Sequence, residues 1–424
     1  METLLALAAV PALAILAAFF FVLLFEPSLP YRVQAPQSPI TSQAFLAYLG
    51  EIVNARTFAS HGGEVLASGE AIYAAQLGAI RAASKSVHME VYLFLRGRAG
   101  DEFVAALADR ARAGVDVRVV VDRIGSMKTP SAYFDRLTQA GGRMHWYQPI
   151  AWYTLKRFNN RTHRDLLIVD GEVGFIGGVG VADYWLGPEG AGRPWRDTAI
   201  RLAGPIVNGL QTSFAENWLE AAGEILGEDA FAPLAIQGEF HGCALVVNST
   251  PSAGRSTRAR MLFQVLLAAS RESIRITSPY FVPDASLVAE LARAVARGVR
   301  VTVLVPGAWN NHPIARLASR RRYGALLQAG IHVHEYQPRM IHAKVLVVDG
   351  AWSVIGSTNF DSRSFGLNDE VNVAILDVAV AQRLADDFAR DLGDSVEITL
   401  AAWQRRPASE KALAAVARIL ERQE

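Results

Sequence analysis

Cysteine is almost absent: Cys243 is the only one in 424 residues. That excludes an intramolecular disulfide, and with it a fold stapled by covalent bridges. No motif surrounds Cys243, so it reads as a small apolar filler rather than a nucleophile. There is no cysteine cluster and no His-Glu-x-x-His pattern, so neither a metal nor a cofactor is expected. Net charge is also lacking, with 42 Lys and Arg against 41 Asp and Glu. A dedicated nucleic-acid binder would be more basic, so no nucleic-acid partner is expected. From Leu4 to Phe25 charge is missing altogether, and Leu, Ala, Phe and Val dominate. That run matches the roughly 20 residues of a bilayer-spanning helix, and membrane helices tolerate a proline such as Pro11. A cleaved signal peptide fits less well. Glu2 is the only charge ahead of the run, and the run exceeds the roughly 7–15 residues of a signal peptide's apolar core. Residues 1–27 are therefore read as a single-pass anchor. Arg32, with Arg56 further on, favours a cytoplasmic position for the rest of the chain.

What is present is a duplication. Residues 28–67 hold Pro30, Pro36 and Pro39 among polar side chains and read as a linker. Two α/β repeats follow, 68–235 and 236–400. Each alternates helix and strand through Ser86–Leu95 and Val115–Asp122, or Ser273–Phe281 and Val299–Val305. Ala113-Gly-Val-Asp-Val-Arg-Val-Val-Val matches Arg297-Gly-Val-Arg-Val-Thr-Val-Leu-Val, and Tyr147-Gln-Pro matches Tyr336-Gln-Pro. These strands are apolar enough to be buried under helices on both faces. The expected fold class is therefore α/β: two sandwiches of mixed sheet and helices about a pseudo-two-fold axis. The halves are expected to meet sheet edge to sheet edge, with a central cleft. Residues 401–424 end in an amphipathic helix, with Leu413, Val416, Ile419 and Leu420 on one side.

The chemistry sits in two near-copies of one motif. His342-Ala-Lys344-Val-Leu-Val-Val-Asp349-Gly is followed by Ile355-Gly-Ser357-Thr-Asn359. His163-Arg-Asp165-Leu-Leu-Ile-Val-Asp170-Gly is followed by Ile176-Gly-Gly178-Val-Gly180. Alternate strand residues share a face, so His342 and Lys344 point together. A nucleophilic imidazole beside a fixed positive charge suits attack on a phosphodiester. Ser357 and Asn359 can donate to phosphate oxygens. Glu370, and Asp197 in the first half, are placed to hold a histidine's second ring nitrogen. Asp170 and Asp349 invite an acid/base role. The stronger reading is that each opens an Asp-Gly turn and braces the site.

Two such motifs in one chain resemble the phospholipase D superfamily, and within it the bacterial cardiolipin synthases. Thr277-Ser-Pro-Tyr280-Phe-Val-Pro-Asp284, Trp195-Arg-Asp197-Thr and Phe365-Gly-Leu-Asn-Asp-Glu370-Val-Asn carry the same likeness, which spans roughly residues 68–400. The resemblance implies a metal-free, two-step phosphatidyl transfer. One histidine attacks phosphorus to give a phosphohistidine, and the other protonates the leaving alcohol, then deprotonates the acceptor. It implies phosphatidylglycerol as substrate, a bacterial inner-membrane location, and catalytic residues His163, His342, Lys344, Asp170 and Asp349. The superfamily's nucleophile would fall on His163. With water as acceptor the same machinery is a phospholipase D.

Asp165 breaks the pattern, because it stands where the motif has lysine. For unit charges about 4 Å apart at an effective dielectric of about 20, attraction to phosphate becomes a repulsion of about 4 kcal/mol. Gly180 likewise lacks the side chain of Asn359. Three readings follow. An arginine substitutes, with Arg161 on the face of His163 and Arg164 beside it. Or the halves have exchanged roles, with His342 as nucleophile. Or the chain is a weakly active or non-catalytic lipid-binding relative. Among lesser signals, His312 is the further histidine best placed to line the cleft. Arg316, Arg320, Arg321 and Arg322 form either a solvated face or an anionic-headgroup patch. Trp152, Tyr153 and Phe158 lie in an insertion ahead of His163 that either packs or meets the membrane interface.

Overall fold

The computed structural model describes residues 11, 13–15, 32–60, 62–149, 159–186, 194–231, 242–252 and 256–407. Nearly all of the run Leu4–Phe25, the aromatic insertion up to Phe158 and the amphipathic stretch from Ala408 lie outside these residues. Among the described residues no helix is long and apolar enough to cross a membrane.

The strands are β1 (Thr57–Ser60), β2 (Glu64–Leu66), β3 (Ser86–Val91), β4 (Asp116–Asp122), β5 (Arg143–Tyr147), β6 (Asp165–Val169), β7 (Val173–Gly177), β8 (Ala199–Ala203) and β9 (Gly242–Ser249). They continue as β10 (Ser273–Thr277), β11 (Phe281–Val282), β12 (Arg300–Pro306), β13 (His332–Tyr336), β14 (Val345–Val348), β15 (Trp352–Gly356), β16 (Phe360–Asp361), β17 (Glu370–Leu376) and β18 (Ser395–Ile398). One sheet has the order β2-β8-β7-β6-β3-β4-β5, the other β1-β9-β17-β15-β14-β10-β12-β13-β18. In each, three parallel strands (β3, β4, β5 or β10, β12, β13) join an antiparallel meander through the strand after the histidine. The duplication seen in the sequence is thus a duplication of topology. The strand expected to run from Ser273 to Phe281 breaks after Thr277, where Pro279 can supply no backbone N–H.

Both sheets are covered on both faces, as their apolar strands require. Helices Gly69–Ala82 and Arg98–Arg112 cover one face of the first sheet; helices Arg258–Ala269 and Ala285–Ala296 cover one face of the second. The remaining faces meet each other. Leu166, Ile176 and Ile200 share one cluster with Val347, Ile355 and Val373, flanked by helices Val207–Ala222 and Val378–Gly393. The edge-to-edge contact expected from the sequence is therefore corrected to a face-to-face one. Strands β7 and β15 each point one isoleucine into the shared layer, and that burial outweighs pairing of edges.

The segment 28–67 is also more than a linker. Ser42 caps helix Gln43–Ile52 by accepting from Phe45 N at 3.2 Å. That helix buries Phe45 and Leu49 in the second half, and Trp352 donates to Ile40 O at 2.7 Å. Strand β1 then extends the second sheet and β2 the first, so the segment ties the two together.

Candidate active site

The two histidines reach each other because each half lends the other a strand edge. His163 N donates to Asp369 O at 2.9 Å, and His342 N donates to Arg196 O at 2.7 Å. Bridges Thr162–Asp369 and Arg196–Ile341 repeat the same exchange. Each motif's carboxylate is therefore delivered to the opposite histidine. His163 Nδ1 lies 3.2 Å from Glu370 Oε2 and 2.9 Å from Ser357 O. His342 Nδ1 lies 3.0 Å from Asp197 Oδ2. A carboxylate oxygen lies at each Nδ1, which favours the proton there and leaves Nε2 for chemistry. The rings open into one cavity of about 550 Å³, also lined by Asp165, Arg161, Gly178 and Asn359.

The two half-sites differ in electrostatics. Around His342, Lys344 Nζ sits 3.1 Å from Nδ1 and 3.3 Å from Nε2. Burial and the Lys344 charge push His342 down to about 4, against the pull of Asp197. Burial holds Lys344 itself below its ordinary value. Asp197 stays below the usual carboxylate range despite its burial, because His342 and Lys344 favour its charge. Around His163, burial works in the same downward direction, but Glu370 overcomes it, and Asp165 adds to the upward shift. Burial raises Asp165 to about 6, opposed by His163 and by the backbone N–H of Tyr92, which donates to its Oδ1 at 3.0 Å.

Close contacts favour glycine at two places. A Cβ on Gly178 would lie 2.6 Å from Lys344 Nζ, so the lysine of one half rests on the bare backbone of the other. A Cβ on Gly180 would lie 2.6 Å from Leu93 O, leaving no room for a counterpart of Asn359.

Several expected roles shift once the side chains are in place. The Ser357 hydroxyl does not line the cavity; it donates to Glu370 and accepts from Val371 N, so it orients the carboxylate rather than facing phosphate. Asp170 and Asp349 do not line the cavity. Each follows its strand at the end opposite the histidine, with positive φ at Asp and Gly, as in a type I′ hairpin. Asp170 accepts from the backbone of Ser84, Lys85 and Ser86, and Asp349 from that of Arg271, Glu272 and Ser273. Arg164 points away from the cavity, donating to Ser213 O and pairing with Glu216 at 3.2 Å. Arg161 does line the cavity, but its guanidinium donates to Gln148 O at 3.2 Å and lies 3.6 Å from Asp122. Arg320 turns to Glu335 and lies over the rings of Tyr323 and Trp403. His312 reaches the cavity wall, where its Nδ1 accepts from Ala315 N.

The sequence reading missed other lining residues. Tyr92 packs against His163, with ring centres 5.2 Å apart. Trp185 and Trp195 pack against His342 at 5.7 and 5.5 Å, and Trp185 Nε1 donates to Asp197 Oδ2 at 3.0 Å. Asp361, Arg363, Ser364 and Asn368 complete the wall near His163. One signal was available: Ser364 follows His342 at the spacing at which Trp185 follows His163.

Paired imidazoles held by crossed carboxylates on duplicated α/β sandwiches define a phospholipase D-like protein. The family described as "Cardiolipin synthase, PLD-like domain" matches residues 77–183 and 263–392, and the chain belongs to that family. It is 33% identical to cardiolipin synthase 2 of Bacillus anthracis over 84% of this chain and 69% of that one. It is 36% identical to cardiolipin synthase A of Pseudomonas aeruginosa (strain LESB58) over 81% of this chain and 69% of that one. In fold it is similar to phosphatidylserine synthase of Haemophilus influenzae Rd KW20, with a TM-score of 0.68 at 16% identity, covering 90% of this chain and 99% of that one.

Proposed function

We propose that the protein is a phosphatidyltransferase of the cardiolipin synthase type. In this reading its N-terminal apolar run anchors it in the bacterial inner membrane, with the catalytic halves on the cytoplasmic side. The observation that carries the reaction is the pair of Nδ1-held histidines facing one cavity, with Lys344 beside one of them.

His342 is the nucleophile. Its depressed basicity keeps it neutral, Asp197 fixes the tautomer, and Lys344 attracts the phosphate. Nε2 attacks phosphorus, a P–N bond forms, and the P–O bond to the headgroup breaks. His163, held protonated by Glu370 and Asp165, gives its proton to the leaving oxygen. Neutral His163 then takes the proton of an incoming hydroxyl, which displaces His342 from phosphorus. With phosphatidylglycerol as donor and acceptor, the products are cardiolipin and glycerol. Asp165 thereby tunes the acid instead of binding phosphate.

The test is incubation of the full chain with phosphatidylglycerol vesicles. Cardiolipin and glycerol are expected in equal amounts. Phosphatidic acid without cardiolipin would replace this reading with hydrolysis, and no turnover would contradict both.

A further inference from the structure

Asp197 holds His342 through Oδ2, and that oxygen is shared. His342 Nδ1 lies 3.0 Å from it, and Trp185 Nε1 donates to it at 3.0 Å. The other oxygen, Oδ1, accepts from Thr198 N at 2.8 Å. Asp197 is fully buried, so bulk solvent does not compete for these positions. Trp185 is buried too, and its ring meets the imidazole edge-on, at 5.7 Å between centres and 71° between planes. One side chain thus touches both His342 and the carboxylate that holds it. Trp185 is seated from behind by the start of helix Gly69–Ala82. A Cβ on Gly69 would lie 2.3 Å from Trp185 O and 2.5 Å from Trp185 Cβ, so the bare helix start lets Trp185 approach. At the matching distance from His342 the second half has Ser364, whose backbone N donates to Asp361 at 2.7 Å. There the oxygen of Glu370 that faces His163 accepts from the Ser357 hydroxyl instead.

Sharing has a chemical consequence. An indole has one N–H donor and no acceptor, so it can hold Asp197 without taking a proton from it. A carboxylate whose charge is already stabilised by an N–H gives less support to a neighbouring imidazolium. The titratable groups facing His342 are Asp197, Lys344 and His163, with the Tyr280 ring 6.3 Å away. Burial, Lys344 and His163 disfavour protonated His342, and Asp197 favours it. The indole N–H acts on that favourable contact. We propose that Trp185 is a positioning residue for His342: its indole N–H fixes the Asp197 oxygen that holds Nδ1 and takes up part of the charge which that oxygen otherwise offers to the imidazole. The inference rests on the phosphatidyl-transfer reading with His342 as nucleophile.

The experiment replaces Trp185 in the full chain by benzothienylalanine, which keeps the fused ring and lacks the N–H, with Trp185→Phe as a second variant. On phosphatidylglycerol vesicles kcat is expected to fall about tenfold with KM unchanged, as loss of a hydrogen bond to a charged group allows. The acid limb of the pH profile is expected to move to higher pH, which a packing role alone would not cause. A rise in KM alone, or an acid limb that stays in place, would overturn the inference while leaving phosphatidyl transfer standing. If the native chain shows no turnover, phosphatidyl transfer itself fails, and the titration of His342 decides the role of Trp185. Followed by NMR in the histidine-labelled chain, its midpoint is expected at higher pH in the benzothienylalanine protein than in the native one. Equal midpoints would overturn the inference. In the native chain the Trp185 indole N–H resonance should follow the His342 titration, and a resonance indifferent to it would overturn the inference even if neither variant folds.

Discussion

The two half-sites share a backbone and differ in nearly every side chain that faces the cavity. At matching distances from their histidines, the first half places Gly180, Ala182, Tyr184 and Trp185, and the second places Asn359, Asp361, Arg363 and Ser364. Because the strands cross, the aromatic set surrounds His342 and the polar set surrounds His163. Lys344 and Asp165, at equivalent positions, push the two imidazoles in opposite directions. Duplication thus supplied the geometry twice, and divergence left His342 less basic and His163 more basic than an ordinary imidazole.

The comparison breaks first at the histidines. His163→Ala is expected to lower turnover of a natural donor about a thousandfold, within the range of a lost general acid. An aryl phosphodiester donor, whose leaving group needs no proton, should recover the first step alone, as a burst of released aryl alcohol, whereas His342→Ala should recover none. Recovery in His342→Ala instead would reverse the assignment. Next comes Lys344→Met, with an expected loss of about 10²–10³ in kcat. Removing its charge also raises His342, so the acid limb of the pH profile should move to higher pH. Movement to lower pH would contradict the placement of Lys344. Asp165→Asn removes a charge that favours protonated His163. The alkaline limb should therefore shift to lower pH, and an unmoved limb would detach Asp165 from the acid.

The smallest effect lies beneath the site. Glu90 is fully buried, with one oxygen unpartnered, and burial raises it to about 7 although Arg164, Thr162 and Asn217 oppose the shift. Its folded value exceeds the unfolded one of about 4.3. Stability is therefore lost as pH rises from near that value, and the full cost is present above pH 7. Glu90→Gln should raise the melting temperature at pH 8 and change it little at pH 4. Equal shifts at both would refute the linkage.

Much of this was legible in the chain. The strands expected at Val115–Asp122 and Val299–Val305 are found within one residue of those bounds, at Asp116–Asp122 and Arg300–Pro306, because their apolar runs are uninterrupted. The motif spacing led directly to both histidines, and to Glu370 and Asp197 as their partners. What was hidden depended on long-range placement. The crossing of each carboxylate to the other half rests on backbone bonds such as His163 N to Asp369 O, which no local pattern encodes. Ser357 resembled a phosphate donor because its type allows it, yet Glu370 lies closer. Arg161 and Arg164 suggested replacements for lysine, but their guanidinium groups are drawn to Gln148 O and Ser213 O. Tertiary packing decided each of these, and a single strand's alternation cannot report it.

The division of labour between the halves reduces to one bond. Acid-sensitive phosphohistidine can be trapped by alkaline quench during turnover of a labelled donor, and the modified peptide located by mass spectrometry. The account predicts phosphorylation on the peptide carrying His342, accumulating in His163→Ala with the aryl donor. Phosphorylation of His163 would contradict it.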